Sequence, residues 1–161
     1  MGREIRMVPA DWQHPKDERG QYEPLLDGSF AEELAEWNLG KSKWSEGLQD
    51  DYNSGWKPSD SNSTWEEWAG VAPEEAAYMP TFAEGTATHL MMMYETCTEG
   101  TPISPAFATP EELAHWLADT NASAFGAMGA SYESWLRVCK GGYAPSAIMT
   151  DSRGIRPGVE L

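Results

Sequence analysis

Thr88-His89-Leu90-Met91-Met92-Met93-Tyr94-Glu95-Thr96-Cys97-Thr98 is the stretch that decides the fold. Its centre, Leu90 to Tyr94, is apolar without interruption, so the strand it predicts is a central one covered on at least one side. The run is far too short to span a bilayer. After it, Gly100-Thr101-Pro102 and Ser104-Pro105 turn the chain through an extended segment, with Ile103 and Phe107 tucked inward. The hydroxyl-rich piece from Glu95 to Pro105 reads as structure, because each unusual residue already has a turn role; a binding loop is the rival reading.

A central strand needs neighbours, and both ends of the chain offer them. Residues 3–8 alternate Glu4 and Arg6 with Ile5 and Met7, a short half-buried strand ended by Pro9. Ala144 to Thr150 forms another strand; Asp151-Ser152-Arg153-Gly154 is a turn into a last short strand around Ile155. Residues 10–28 read as a polar loop pinned by Trp12 and Tyr22.

Four helices are expected. Ser29 with Glu32 is a capping-box pattern, and Phe30, Leu34, Trp37, Trp44 and Leu48 continue as one apolar stripe, weakened at Gly40. Residues 50–63 are turn-rich and read as a flexible loop. Ser63 with Glu66 opens a short helix carrying Trp65 and Trp68, closed by Gly70 and Pro73. Residues 71–86 look irregular, anchored by Tyr78, Met79 and Phe82. Thr109, Pro110 and Glu112 start a third helix that buries Leu113, Trp116 and Leu117. The fourth starts near Ser131, buries Trp135, Leu136 and Cys139, and stops at Gly141-Gly142. The expected architecture is α+β: a small, mainly antiparallel sheet of three to four strands packed against about four helices, as a single domain over residues 1–161.

The charge restricts function more than the motifs do. The chain carries 26 acidic residues against 11 Lys plus Arg, a net −15. That balance opposes direct binding to nucleic acid and to anionic membranes, and favours a basic partner. Residues 1–84 hold net −11 and residues 85–161 only −4, so an electrostatic role leans on the first half. Met1 to Arg6 shows no apolar run after its charges, so no secretory leader is expected. The sequons at Asn62 and Asn121 read as chance matches.

Catalytic signatures are thin. His14, His89 and His115 lie at no zinc-type spacing and read as single surface histidines, so no metal and no cofactor is expected. Cys97, on a strand, and Cys139, on a helix, read as buried reduced thiols, with a single disulfide left open. A Cys97 nucleophile with His115 as base is a weak enzymatic alternative without a local signature. The doublets Glu32-Glu33, Glu66-Glu67 and Glu111-Glu112 fall in first helical turns, where the macrodipole accounts for them; Asp50-Asp51 and Glu74-Glu75 are not matched acid–base pairs either.

Arg3-Glu4-Ile5-Arg6 with Val8-Pro9 and Trp12-x-His14-Pro15 resembles the opening of small uncharacterised acidic proteins encoded by tailed bacteriophages and prophages. Tyr94-Glu95-x₃-Glu99-Gly100-Thr101-Pro102-Ile103-Ser104-Pro105, Pro110-Glu111-Glu112-Leu113-Ala114 with Trp116-Leu117, and Gly142-Tyr143-Ala144-Pro145-Ser146 resemble them too, whereas residues 40–85 match least. The resemblance implies a gene product of the bacterial host cytoplasm and carries over no catalytic residue. The leading expectation is a non-enzymatic inhibitor, anti-CRISPR-like or otherwise anti-defence, that binds a basic host protein handling nucleic acid. Its candidate contact residues are Glu32, Glu33, Glu36, Asp50, Asp51, Glu66 and Glu67. The alternatives are a small-molecule binder that sequesters a signalling nucleotide, lined by Arg3, Arg6, Arg137 and Lys140, and a minor virion or assembly component.

Overall fold

The computed structural model describes residues 2–51, 54–150 and 154–160. The fold is α+β; among these residues it has four α-helices, a four-stranded antiparallel sheet and two smaller two-stranded sheets. The chain gathers into two compact units: Met1–Leu26 with Phe82–Leu161, and Asp27–Thr81.

In the first unit the methionine-rich run becomes β4 (Leu90–Glu95), flanked by β1 (Gly2–Val8) and β5 (Thr101–Pro102), with β6 (Tyr143–Pro145) outside β1. Every pairing is antiparallel, and the register sets Ile5 opposite Met93 and Arg3 opposite Glu95. Strand alternation sends Met93 one way and Met92 and Tyr94 the other. Met93 enters the core made by α3 (Pro110–Asp119) and α4 (Tyr132–Gly141), where Leu113, Leu117 and Trp135 are wholly buried. Tyr94 is also wholly buried, beneath the loop carrying His14 and beside Arg6, whose guanidinium lies 4.4 Å from the phenol ring centre. β4 is therefore covered on both sides, which is why its sequence shows no alternation.

Helix starts follow their local chemistry. Thr109 and Ser131 cap α3 and α4 by accepting the backbone N–H of Glu112 and Ser134 at 3.2 Å, a contact that commonly contributes about 1 kcal/mol. Residues 144–150 do not form one strand. Ser146 separates β6 from β7 (Ala147–Thr150), which pairs with β8 (Gly154–Pro157) in a sheet of its own. Of the turn expected over 151–154, residues 151–153 lie outside the described residues, and Gly154 opens β8 with a positive φ of 69°. The strand expected over 88–98 is shorter too. Thr96–Thr98 form a 3-10 turn, and Glu99 follows in the left-handed conformation. Cys97 is consequently exposed on that turn instead of buried on a strand, while Cys139 is buried on α4 as expected; both are free thiols.

The second unit contains α1 (Phe30–Ser45), β2 (Leu48–Asp51), β3 (Gly55–Pro58) and α2 (Trp65–Ala69). Ser29 caps α1 by accepting the Glu32 N–H at 3.3 Å. The helix runs unbroken through Gly40 and ends before Gly47, whose positive φ of 76° turns the chain back. Leu48 therefore leaves the helical stripe and begins a strand. Residues 48–58, expected in part as a flexible loop, pair as two antiparallel strands from Leu48 opposite Pro58 to Asp51 opposite Gly55. The second capping box sits one residue later than expected. Thr64 accepts the Glu67 N–H at 3.2 Å, and the Glu67 carboxylate accepts the Thr64 N–H at 2.7 Å. That register turns Trp65 inward, where it is buried against Gly40.

Candidate functional site

The second unit holds the molecule's most uneven distribution of charge. Residues 27–81 carry twelve acidic side chains and three lysines, net −9 of the chain's −15. Each lysine already has a carboxylate: Lys41 holds Glu66 at 2.6 Å, Lys43 holds Glu46 at 2.9 Å and Lys57 holds Asp51 at 2.6 Å. Lys41 keeps the Glu66 carboxyl below its ordinary range, and Lys57 with the Ser54 hydroxyl does the same for Asp51. The remaining acids of the unit have no internal cation left to neutralise them.

Trp37 and Trp44, seven residues apart on α1, meet Trp65 and Trp68 of α2. Ring centres lie between 5.2 and 6.0 Å apart in tilted or edge-on contacts, the geometry that aromatic quadrupoles favour. The Trp37 and Trp44 indoles donate to the carbonyls of Gly70 and Ser63, at 3.3 and 3.1 Å, which fixes their orientation. Trp65 is buried and its indole N–H has no acceptor among the described residues.

Beside this cluster lies a groove of about 730 Å³. Four of its lining residues are indoles (Trp37, Trp56, Trp65 and Trp68), and Leu39 and Val71 extend the apolar lining. Glu33, Glu36 and Asp50 supply its charge, and among the described residues no cation lines it. Glu33 and Glu36 share a helix face by their three-residue spacing. Asp50 and Trp56 stand directly opposite each other on β2 and β3. Trp56 and Trp68 remain 38% and 37% exposed.

Of the seven carboxylates expected at a contact surface, the fold gathers Glu33, Glu36 and Asp50 at the groove. Glu32 is exposed in the first turn of α1, Asp51 and Glu66 are ion-paired, and Glu67 completes the α2 cap. For the tryptophans of segment 37–68 the sequence leaves core and interface both open. Trp37, Trp65 and Trp68 carry helical spacing, which favours core, and Trp56 sits in a segment whose composition reads as loop; its indole between turn residues was the available signal.

The other expected sites are not assembled. Arg3 is buried, paired with Glu95 at 2.7 Å and donating to the Ser123 carbonyl. Arg6 is buried on Glu4 and the Leu25 carbonyl, Arg137 donates to the Val159 carbonyl, and Lys140 pairs with Glu111. These four cations are each committed to protein partners and do not line a common pocket among those described. Cys97 Sγ lies 2.8 Å from Ser146 Oγ, and the His115 ring stacks on Tyr132 with centres 4.1 Å apart.

His14 is a correction to the surface reading: it is buried. Its Nε2 donates to the Glu23 carbonyl at 2.6 Å and its Nδ1 faces the Tyr94 hydroxyl at 3.2 Å. A carbonyl can only accept, so Nε2 carries a proton, and Nδ1 shares a hydrogen bond with the Tyr94 hydroxyl. Among the described residues, no three His, Cys, Asp or Glu side chains cluster to hold a metal ion, and no helix is long and apolar enough to cross a membrane. No family model, curated protein or solved structure matches this chain.

Proposed function

We propose that this protein is a non-enzymatic inhibitor from a tailed phage or prophage, acting in the bacterial host cytoplasm. It covers the basic surface of a host or defence protein that handles nucleic acid. The observation that carries this reading is the charge of residues 27–81, where all three lysines are already paired and the acidic excess is left for an external partner. Such a surface competes with a phosphate backbone for the same cations, and its field speeds encounter with a positive partner. The exposed indoles of Trp56 and Trp68 add the aromatic anchoring that dominates protein interfaces.

The test is capture from nuclease-treated bacterial lysate, followed by a nucleic-acid-binding assay on the purified partner. A basic partner should be retained at about 0.05 M salt and released at about 0.5 M, where exposed charges are screened. Its binding to nucleic acid should fall in proportion to added inhibitor. The triple variant Glu33→Lys, Glu36→Lys, Asp50→Lys should neither capture nor inhibit. A captured partner whose nucleic-acid binding is unaffected contradicts the proposal.

A further inference from the structure

We infer, resting on that reading, that the groove of the second unit is a recognition site for arginine side chains projecting from the partner's basic surface.

Its lining combines the two groups that a guanidinium needs. Trp37, Trp56 and Trp68 line it with indoles, and Glu36 and Asp50 line it with carboxylates that have no ion-pair partner among the described residues. A cation over an indole is attracted by the ring quadrupole, and a carboxylate can take two parallel N–H donors from the same planar head. Lysine offers a point charge with neither planar stacking nor a bidentate fork, so the site favours arginine.

The protein already places one of its own cations, a lysine, beside an indole and a carboxylate at once. Lys41 Nζ lies 4.9 Å from the ring centre of Trp37 while donating to Glu66 at 2.6 Å. Trp37 also lines the groove, so the indole used internally for a cation belongs to the same wall.

Other occupants fit less well. An anionic ligand would meet three carboxylates and, among the described residues, no cation. A purely apolar segment would desolvate those carboxylates without compensation. A second copy of the chain would bring a second surface of net −9 against the first. At about 730 Å³ the groove has the capacity of an ordinary ligand site, which accommodates several side-chain groups rather than one ion.

The experiment is titration calorimetry on the full chain with an arginine–glycine repeat peptide of about eight residues. Its counterparts carry citrulline, a neutral isostere, or lysine at every arginine. The arginine peptide should bind about tenfold more tightly than the citrulline peptide and also more tightly than the lysine peptide. Glu36→Gln with Asp50→Asn should weaken the arginine peptide about fivefold or more. Glu74→Gln with Glu75→Gln removes the same charge from exposed positions outside the groove lining and should change affinity less than about twofold. Equal losses from the two pairs, or no preference for arginine over citrulline, overturn the inference even if a basic partner is still captured and inhibited. Groove-dependent arginine binding without inhibition of any partner supports the site and contradicts the inhibitor reading.

Discussion

Gly40 lies so close to Trp65 that a β-carbon at residue 40 would come within 2.3 Å of the indole. This contact joins α1 to α2 and sets one wall of the groove. In an exposed helix, replacing glycine by alanine stabilises by about 1 kcal/mol. Here the added methyl meets a ring held by Trp37, Trp44 and Trp68. Gly40→Ala should therefore destabilise the second unit by about 1–3 kcal/mol, the usual cost of overpacking. Thermal unfolding followed by tryptophan fluorescence measures it, and a more stable variant would show that Trp65 moves freely.

The same contact explains why the start of α2 slips by one residue from its sequence reading. Ser63 and Thr64 are each followed three residues later by a glutamate, Glu66 or Glu67, so local chemistry cannot choose between them. Burial of Trp65 against Gly40 chooses Thr64. The other helix starts were legible because a cap is a local hydrogen bond, and the central strand was legible because its apolar run is continuous. The β2–β3 pairing was not legible: Asp50, Asp51, Gly55 and Pro58 all favour turns, and strand pairing is decided by groups distant along the chain. The acidic candidates could be drawn from the charge, whereas the groove needed the tryptophans of three elements brought together.

Acidification should destabilise the first unit through His14. Burial holds its pKa below the ordinary 6.5, Arg6 adds to that effect, and the Glu23 carbonyl offsets part of it. The unfolded chain then binds the proton more readily, so the stability is present above pH 6.5 and is lost as pH falls through the lower folded value. The melting temperature should drop between about pH 7.5 and pH 5.5, and His14→Gln should flatten that dependence. An unchanged slope in His14→Gln would remove His14 as the cause.

The two thiols should react differently. Burial pushes the Cys139 pKa up to about 12, whereas Cys97 is exposed on its 3-10 turn. Iodoacetamide at about pH 8 should modify Cys97 alone in the native protein, because the thiolate is the reactive form. Denaturant should release Cys139 to the same reagent. Intact-mass analysis distinguishes one adduct from two, and two adducts without denaturant would contradict the buried position of Cys139.

The central claim is that the acidic, indole-lined groove of the second unit receives cationic side chains. The most direct test is the indole N–H region of a proton–nitrogen correlation spectrum, which resolves the eight tryptophans individually. On adding the arginine–glycine peptide at low salt, the resonances of Trp37, Trp56, Trp65 and Trp68 should shift and return when salt is raised, while Trp12, Trp116 and Trp135 of the first unit stay in place. Shifts confined to the first unit, or no indole shifts at saturating peptide, would contradict it.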